Sequence, residues 1–258
     1  MKTRNFILLV LFVLLNVQVN AQTLLTRNGK LTSTTAEAVS INGAIGAASG
    51  IGRDGKILTA VTPVSEVTNP TTGAIWLDRN LGASQVAASS TDADAYGDLY
   101  QWGRSADGHQ IRTSETTSTN ATSSAPTTGT DWYGKFITEG SSPYDWRSTQ
   151  NNNLWYGVSG TNNPCPSGFR LPTEAEWTAE RTSWSTNNAA GALASPLKLP
   201  MADFRRRSGS LGGESHSGNY WSSTVEDANS LLLYFYSYSA DVDSDYRAGG
   251  ASVRCLKD

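Results

Sequence analysis

The sequence predicts an α+β domain of short, mostly antiparallel strands with one clear helix and long loops, preceded by a small β or stalk segment. Three observations predict it: a capped helix start at Pro172-Thr173-Glu174-Ala175-Glu176, a period-two alternation over residues 231–238, and a strand-like close over residues 251–256. Eight tryptophans, ten tyrosines and six phenylalanines supply the core such a domain needs and argue against disorder over the whole chain.

The elements follow in chain order. Lys2 and Arg4 precede an apolar run over residues 6–15, and Val19-Asn20-Ala21 ends on a small residue before Gln22. That order is the layout of a secretory signal peptide, residues 1–21, cleaved after Ala21. The apolar run is about half of the roughly 20 residues that a bilayer span requires, so the expectation is export without a membrane span. Residues 22–67 hold no aromatic side chain, and Asn28-Gly29 and Asp54-Gly55 are turn pairs that close hairpins. Two small hairpins or a stalk are expected there, and one larger domain over residues 68–258. Residues 74–81 read as a strand and 96–102 as a short helix or strand. Residues 113–130 are a Ser/Thr tract without apolar period, which reads as a mobile surface loop.

At the helix start, Thr173 is the N-cap and Glu176 completes a capping box. Trp177, Glu180, Arg181 and Trp184 then share one face, and Ser185-Thr186-Asn187-Asn188 ends the helix. In residues 231–238 the odd positions Leu231, Leu233 and Phe235 turn inward, which leaves Tyr234, Tyr236 and Tyr238 as a row on the other face. In the closing strand Val253 and Cys255 face inward.

Charge and composition exclude several functions. With 20 Lys+Arg against 23 Asp+Glu, the formal net charge of −3 rules out a strongly basic nucleic-acid binder. Charged residues make up only 17 % of the chain, while 31 serines and 28 threonines carry its polarity, a balance suited to life outside the cell. In an oxidising compartment Cys165 and Cys255 are expected to pair, and closing so long a loop is worth roughly 4 to 5 kcal/mol in the chain-entropy model. The alternative, a catalytic or metal-binding cysteine, lacks a CxxC partner or a nearby histidine. His109 and His216 sit among Gly, Ser and Asp and read as exposed loop histidines. The glycine-rich stretch 46–52 looks like the turn of short-chain dehydrogenases, but a turn rather than a helix follows it. Asp241-Val242-Asp243-Ser244-Asp245 has the spacing of a calcium-loop start, yet Tyr246 stands where that loop wants Gly and Ser252 where it wants Glu. A looser calcium site, a polar hairpin tip and a carboxylate-lined recognition face all remain open for these aspartates. Arg205-Arg206-Arg207 is too short for a nucleic-acid patch and reads as a strand flank in water.

Five separated motifs together resemble one family. They are Ile75-Trp76-Leu77-Asp78-Arg79-Asn80-Leu81-Gly82-Ala83, Tyr96-Gly97-Asp98-Leu99-Tyr100-Gln101-Trp102-Gly103, Asn163-Pro164-Cys165-Pro166-Ser167-Gly168-Phe169-Arg170-Leu171-Pro172, Tyr220-Trp221-Ser222-Ser223-Thr224 and Ser252-Val253-Arg254-Cys255-Leu256-Lys257-Asp258. In order and spacing they are similar to the Fibrobacter succinogenes major paralogous domain, a bacterial relative of the C-type lectin-like fold, and they cover about residues 68–258. The resemblance implies a secreted, often multi-copy surface domain whose two cysteines, here Cys165 and Cys255, form a disulfide. The stretch from Arg170 to Trp177 is also similar to formylglycine-generating sulfatase-modifying enzymes, which need free active-site thiols. Residues 220–254 resemble the variable segment of retroelement-diversified C-type lectin-like proteins, which implies binding. The Glu-Pro-Asn and Gln-Pro-Asp sugar motifs of animal C-type lectins are absent.

The expectation is a secreted or cell-surface, non-catalytic module that recognises a glycan or surface protein, with no cofactor, no metal and no nucleic-acid partner. A structural envelope or stalk component is the alternative, and a sulfatase-modifying-type enzyme a more remote one. The expected recognition surface is Tyr234, Tyr236, Tyr238, Tyr246 and Arg247, with Asp241, Asp243 and Asp245 beside them.

Overall fold

The computed structural model describes residues 64–212 and 215–258, together with three short strand pairings nearer the N-terminus. Thr26–Arg27 (β1) pairs antiparallel with Lys30–Leu31 (β2), Ser40–Ile41 (β3) with Ala44–Ile45 (β4), and Gly50–Ile51 (β5) with Ile57–Leu58 (β6). The first and third bracket Asn28-Gly29 and Asp54-Gly55, where hairpins are expected. The second, beyond the two expected, brackets Asn42-Gly43, a turn pair of the same kind. The expected signal segment, residues 1–21, lies outside the described residues.

The rest of the chain runs through Glu66–Thr68 (β7), Ile75–Leu77 (β8), Tyr100–Gln101 (β9), Thr116–Thr117 (β10), Phe136–Ile137 (β11) and Phe169–Arg170 (β12). Two helices follow, Glu174–Thr182 (α1) and Ala189–Ala194 (α2). Then come Gly218–Glu226 (β13), Asn229–Phe235 (β14), Ala240–Asp245 (β15), Gly250–Ala251 (β16) and Leu256–Lys257 (β17). One antiparallel sheet has the order β12-β17-β8-β7 and another β13-β14-β15, while β16 pairs with β9 and β10 runs parallel to β11. This is an α+β arrangement of small, mostly antiparallel sheets. No described helix is long and apolar enough to cross a membrane.

Helix α1 starts as its sequence dictates. The Thr173 hydroxyl accepts from the Glu176 N–H at 3.3 Å, and the Glu176 carboxylate accepts from the Thr173 N–H at 2.7 Å. Arg170 holds the same carboxylate with two bonds of 2.8 Å, and Trp177 and Glu180 turn into the core. After Thr182 the chain leaves the helix, and Asn188 caps α2 by accepting from the N–H groups of Ala190 and Gly191. This second helix departs from the single helix expected, because Ala-Ala-Gly-Ala-Leu-Ala is too short to show an apolar period.

All eight tryptophans are buried. Trp76, Trp177, Trp184, Tyr220, Leu233 and Phe235 belong to one core cluster; Trp102, Trp155, Trp221, Leu232, Val253 and Cys255 belong to a second. A buried indole N–H needs a partner, and carbonyl oxygens supply several of them: Trp102 donates to Ser222, Trp177 to Trp221 and Trp221 to Tyr100, while Trp184 donates to the Glu180 carboxylate. The segment from Ala251 to Leu256 is buried throughout, and β17 lies between β8 and β12. It is shared by two sheets rather than forming one closing strand. Cys255 on this segment is joined to Cys165, 90 residues earlier, so both thiols of the chain are in the disulfide.

Two loop expectations change. The Ser/Thr tract is tied down: Thr117 and Thr119 donate their hydroxyls to Asp131 at 2.6 and 2.8 Å, and Ala121 is fully buried beside Trp132 and Trp146. His109 is not an exposed loop histidine but fully buried, while His216 is exposed as expected. The His109 Nδ1 lies 2.7 Å from Asp107 Oδ1, and its Nε2 accepts from the Gln101 N–H at 3.2 Å. Asp107 also holds Arg104 at 2.7 Å, and Arg104 lies over the rings of both Trp132 and Trp146. With both ring nitrogens engaged, the histidine serves a buried polar network.

Candidate functional site

β14 and β15 form a hairpin across Ser237-Tyr238, closed by the Tyr236 N–H donating to Ser239 O at 2.7 Å. Tyr234 lies opposite Asp241, Leu232 opposite Asp243 and Ser230 opposite Asp245. Of the odd positions, Leu233 and Phe235 are fully buried as the alternation requires, whereas Leu231, also expected inward, is only half-buried. Close packing there leaves no room at Gly218, where an added Cβ would stand 2.1 Å from the Phe235 ring. The even face departs from the expectation. Ser230 and Leu232 are buried, Leu232 within the second cluster, and the face emerges only from Tyr234 onward, so the buried side of the strand changes along β14.

From there the tyrosines stand in a row. Ring centroids of Tyr234 and Tyr236 are 5.8 Å apart; those of Tyr236 and Tyr238 are 5.4 Å apart, with planes within 6° of parallel. Tyr238 is 78 % exposed, while Tyr234 and Tyr236 are half-buried. The tip is anchored from behind, since Tyr236 O accepts from the Ala189 N–H at the start of α2, at 2.8 Å. Burial and the Asp241 and Asp243 carboxylates raise the Tyr234 phenol above its ordinary value.

β15 is the outer strand of its sheet. Alternate residues of an antiparallel strand turn their N–H groups away from the partner, here Val242 and Ser244, with Tyr246 just beyond. Each is taken by the carboxylate that precedes it. The Val242 N–H donates to Asp241 Oδ1 at 2.9 Å, the Ser244 N–H to Asp243 Oδ1 at 2.7 Å and the Tyr246 N–H to Asp245 Oδ1 at 2.7 Å. Ala240 O accepts from Arg181 and Asn187. The Asp-x-Asp-x-Asp spacing thus closes a free sheet edge with charge and satisfied donors, the protection that edge strands need. Among the described residues no three His, Cys, Asp or Glu side chains gather as a metal cluster. Changing Asp241, Asp243 and Asp245 together to Ala should leave three edge donors bare and shift the protein to larger species in sedimentation velocity; an unchanged profile would remove this role.

Beyond Asp245 the strip opens into a cleft of about 420 Å³ lined by Phe204, Arg206, Arg207, Ser208, Asp245 and Tyr246. The Arg207 guanidinium lies over Tyr144 at 4.3 Å and Tyr246 at 5.6 Å, and the two rings are 4.4 Å apart. Arg206 lies over Phe204 at 5.4 Å. Burial, with Asp243 alongside, raises the Asp245 carboxyl above its ordinary value against the pull of the Tyr246 N–H and Arg207. From Asp241 to Asp245 the strand covers about 13 Å, so tyrosine row and cleft are the two ends of one strip.

Two arginines depart from their expected places. Arg247, expected on the recognition surface, lies beneath it at 1 % exposure, with its guanidinium 4.6 Å over the Trp102 ring. It donates to Asn229 O at 3.1 Å and Asp227 O at 3.3 Å and stands 3.8 Å from Asp145. Arg205, expected in water, is buried 4.3 Å over the Phe136 ring and bonds Ser114 and Gly209 O. In both cases an aromatic face and main-chain carbonyls replace water around the guanidinium. Of the other expected site residues, Asp241, Asp243 and Tyr246 are exposed and Asp245 half-buried. Phe204, Ser208 and Tyr144 carry no sequence signal for the cleft.

Comparison of the chain with protein-family models, with curated proteins and with solved structures finds no match. The geometry of the strip therefore carries the functional reading.

Proposed function

We propose that this chain is an exported, non-catalytic binding module that recognises a glycan on the tyrosine row Tyr234, Tyr236 and Tyr238. The single observation that carries the reading is the pair of parallel rings at the hairpin tip, Tyr236 and Tyr238, the latter 78 % exposed. Bare aromatic faces on a sheet tip invite association, so they persist where a ligand uses them. Tyrosine offers a sugar ring a large flat contact and a hydroxyl at small entropy cost. The tip is rigid as well, backed by buried Leu233 and Phe235 and by the bond from α2.

The scaffold is proposed to be of the Fibrobacter succinogenes major paralogous, C-type lectin-like type. In support, β17 near the C-terminus inserts between β12 and β8, so the last strand pairs with one of the first of this domain, and Cys165 is joined to Cys255. That disulfide leaves no free thiol for sulfatase-modifying chemistry, which supports the non-catalytic reading. A glycan screen of the exported chain tests the function. Bound glycans should lose on the order of 1 to 3 kcal/mol of affinity in Tyr238→Ala, roughly 5- to 150-fold. Binding that ignores this change while the protein stays folded would refute the reading.

A further inference from the structure

We propose that the cleft at the far end of the strip binds the anionic group of an acidic sugar, with Arg206 and Arg207 as its donors. This deepens the glycan reading and rests on it. Two adjacent arginines line this cleft, and Asp245 is the one carboxylate among its lining residues. Arg79, Arg104, Arg170, Arg181 and Arg247 each stand within 4.0 Å of a carboxylate. Arg206 and Arg207, adjacent in sequence and lining one cleft, have no carboxylate at that distance among the described residues. Each guanidinium carries five N–H donors. One bond to a carbonyl is made by each: Arg206 Nη1 to Leu211 O at 3.3 Å and Arg207 Nη1 to Glu139 O at 3.1 Å. These bonds and the stacking on Phe204, Tyr144 and Tyr246 fix the two planes without using up their donors.

The rest of the cleft selects among anions. A small inorganic anion would use the guanidinium groups alone and would be opposed by the Asp245 carboxylate on the wall. A sugar acid uses every feature present. Its carboxylate or sulfate meets the guanidinium fork, its hydroxyls donate to Asp245 and exchange bonds with Ser208, and its ring packs on Tyr246. A volume of about 420 Å³ lies in the range of small-molecule sites and exceeds what a bare oxyanion fills. Because the cleft continues the strip that begins at the tyrosine row, one chain can occupy both ends, with neutral rings on Tyr236 and Tyr238 and an acidic residue at Arg206 and Arg207.

The test compares a short oligouronate, the neutral oligosaccharide of the same backbone, and inorganic sulfate, each titrated against the full exported chain. The oligouronate should bind roughly ten- to a hundred-fold tighter than its neutral counterpart. In Arg206→Gln/Arg207→Gln that advantage should vanish while affinity for the neutral sugar stays as it was. Arg206→Gln alone, at an exposed position, should remove part of the advantage and serves where the double variant fails to fold. An acidic preference that survives these changes overturns the assignment while leaving the tyrosine row untouched. Sulfate binding as tight as that of the oligouronate overturns the assignment to a sugar. Failure of every oligosaccharide to bind the unaltered chain overturns the inference together with the reading beneath it.

Discussion

Replacing Asp107 by Asn is expected to cost about 3 to 5 kcal/mol, the usual consequence of removing one partner from a buried charged pair. Arg104 and His109 would then face a neutral amide. Arg104 is enclosed by Trp132, Trp146 and the carbonyls of Lys135 and Trp132, and is 1 % exposed. The same network predicts the acid response. Burial and the Arg104 charge lower the His109 imidazole from 6.5 to about 4, against the pull of Asp107. The unfolded chain therefore takes up a proton that the folded chain refuses, and stability present above pH 6.5 is lost as pH falls towards 4. The loss amounts to about 3 kcal/mol. Asp107 extends the slope. Burial would raise its carboxyl, but the bond from His109 and the charges of His109 and Arg104 outweigh that and hold it at about 2. Its contribution, present above its ordinary 3.8, is lost as pH falls through 2. Denaturant titrations between pH 8 and pH 4 check the histidine part, which His109→Gln should flatten.

Cys255→Ser is expected to cost about 2 to 5 kcal/mol and to leave ligand binding intact in whatever fraction stays folded. The bond closes a loop of 90 residues and pins a segment on which Val253, Arg254, Cys255 and Leu256 are all buried. Arg254 shows what depends on that segment. Its guanidinium reaches Asn80 Oδ1 at 2.9 Å and Leu197 O at 2.7 Å, and burial lowers it to about 10. Without the tether this cation must be ordered against a larger loop entropy. Thermal unfolding of the oxidised and reduced chain measures the difference; equal midpoints would show that the disulfide is incidental.

What the sequence reveals follows from how local each cause is. The α1 start was legible because the capping box lies within four residues, and Leu233 and Phe235 because alternation is a local pattern. Leu232 was not, since it is buried in a cluster that includes Trp102 and Trp155, which are distant in sequence. Arg205, Arg247 and His109 are charged or polar by type and buried by context, each enclosed by groups that only the folded chain brings near. The aspartates of β15 show a further limit. Their spacing suggested calcium or a ligand, but the donors they satisfy belong to their own backbone, which becomes visible only once β15 is known to be an edge. The strip from Tyr234 to Tyr246 was legible; the cleft around Arg206 and Arg207 was not, because Tyr144 and Phe204 reach it from loops without a pattern.

The most direct measurement of the central claim is the affinity of the exported chain for its best glycan in the unaltered form and in Tyr236→Ala/Tyr238→Ala, at matched thermal midpoints. The account predicts a loss of roughly 30-fold or more with folding nearly unchanged, since both rings lie on the surface side of a hairpin whose inward residues are untouched. Equal affinity in the two proteins would contradict it.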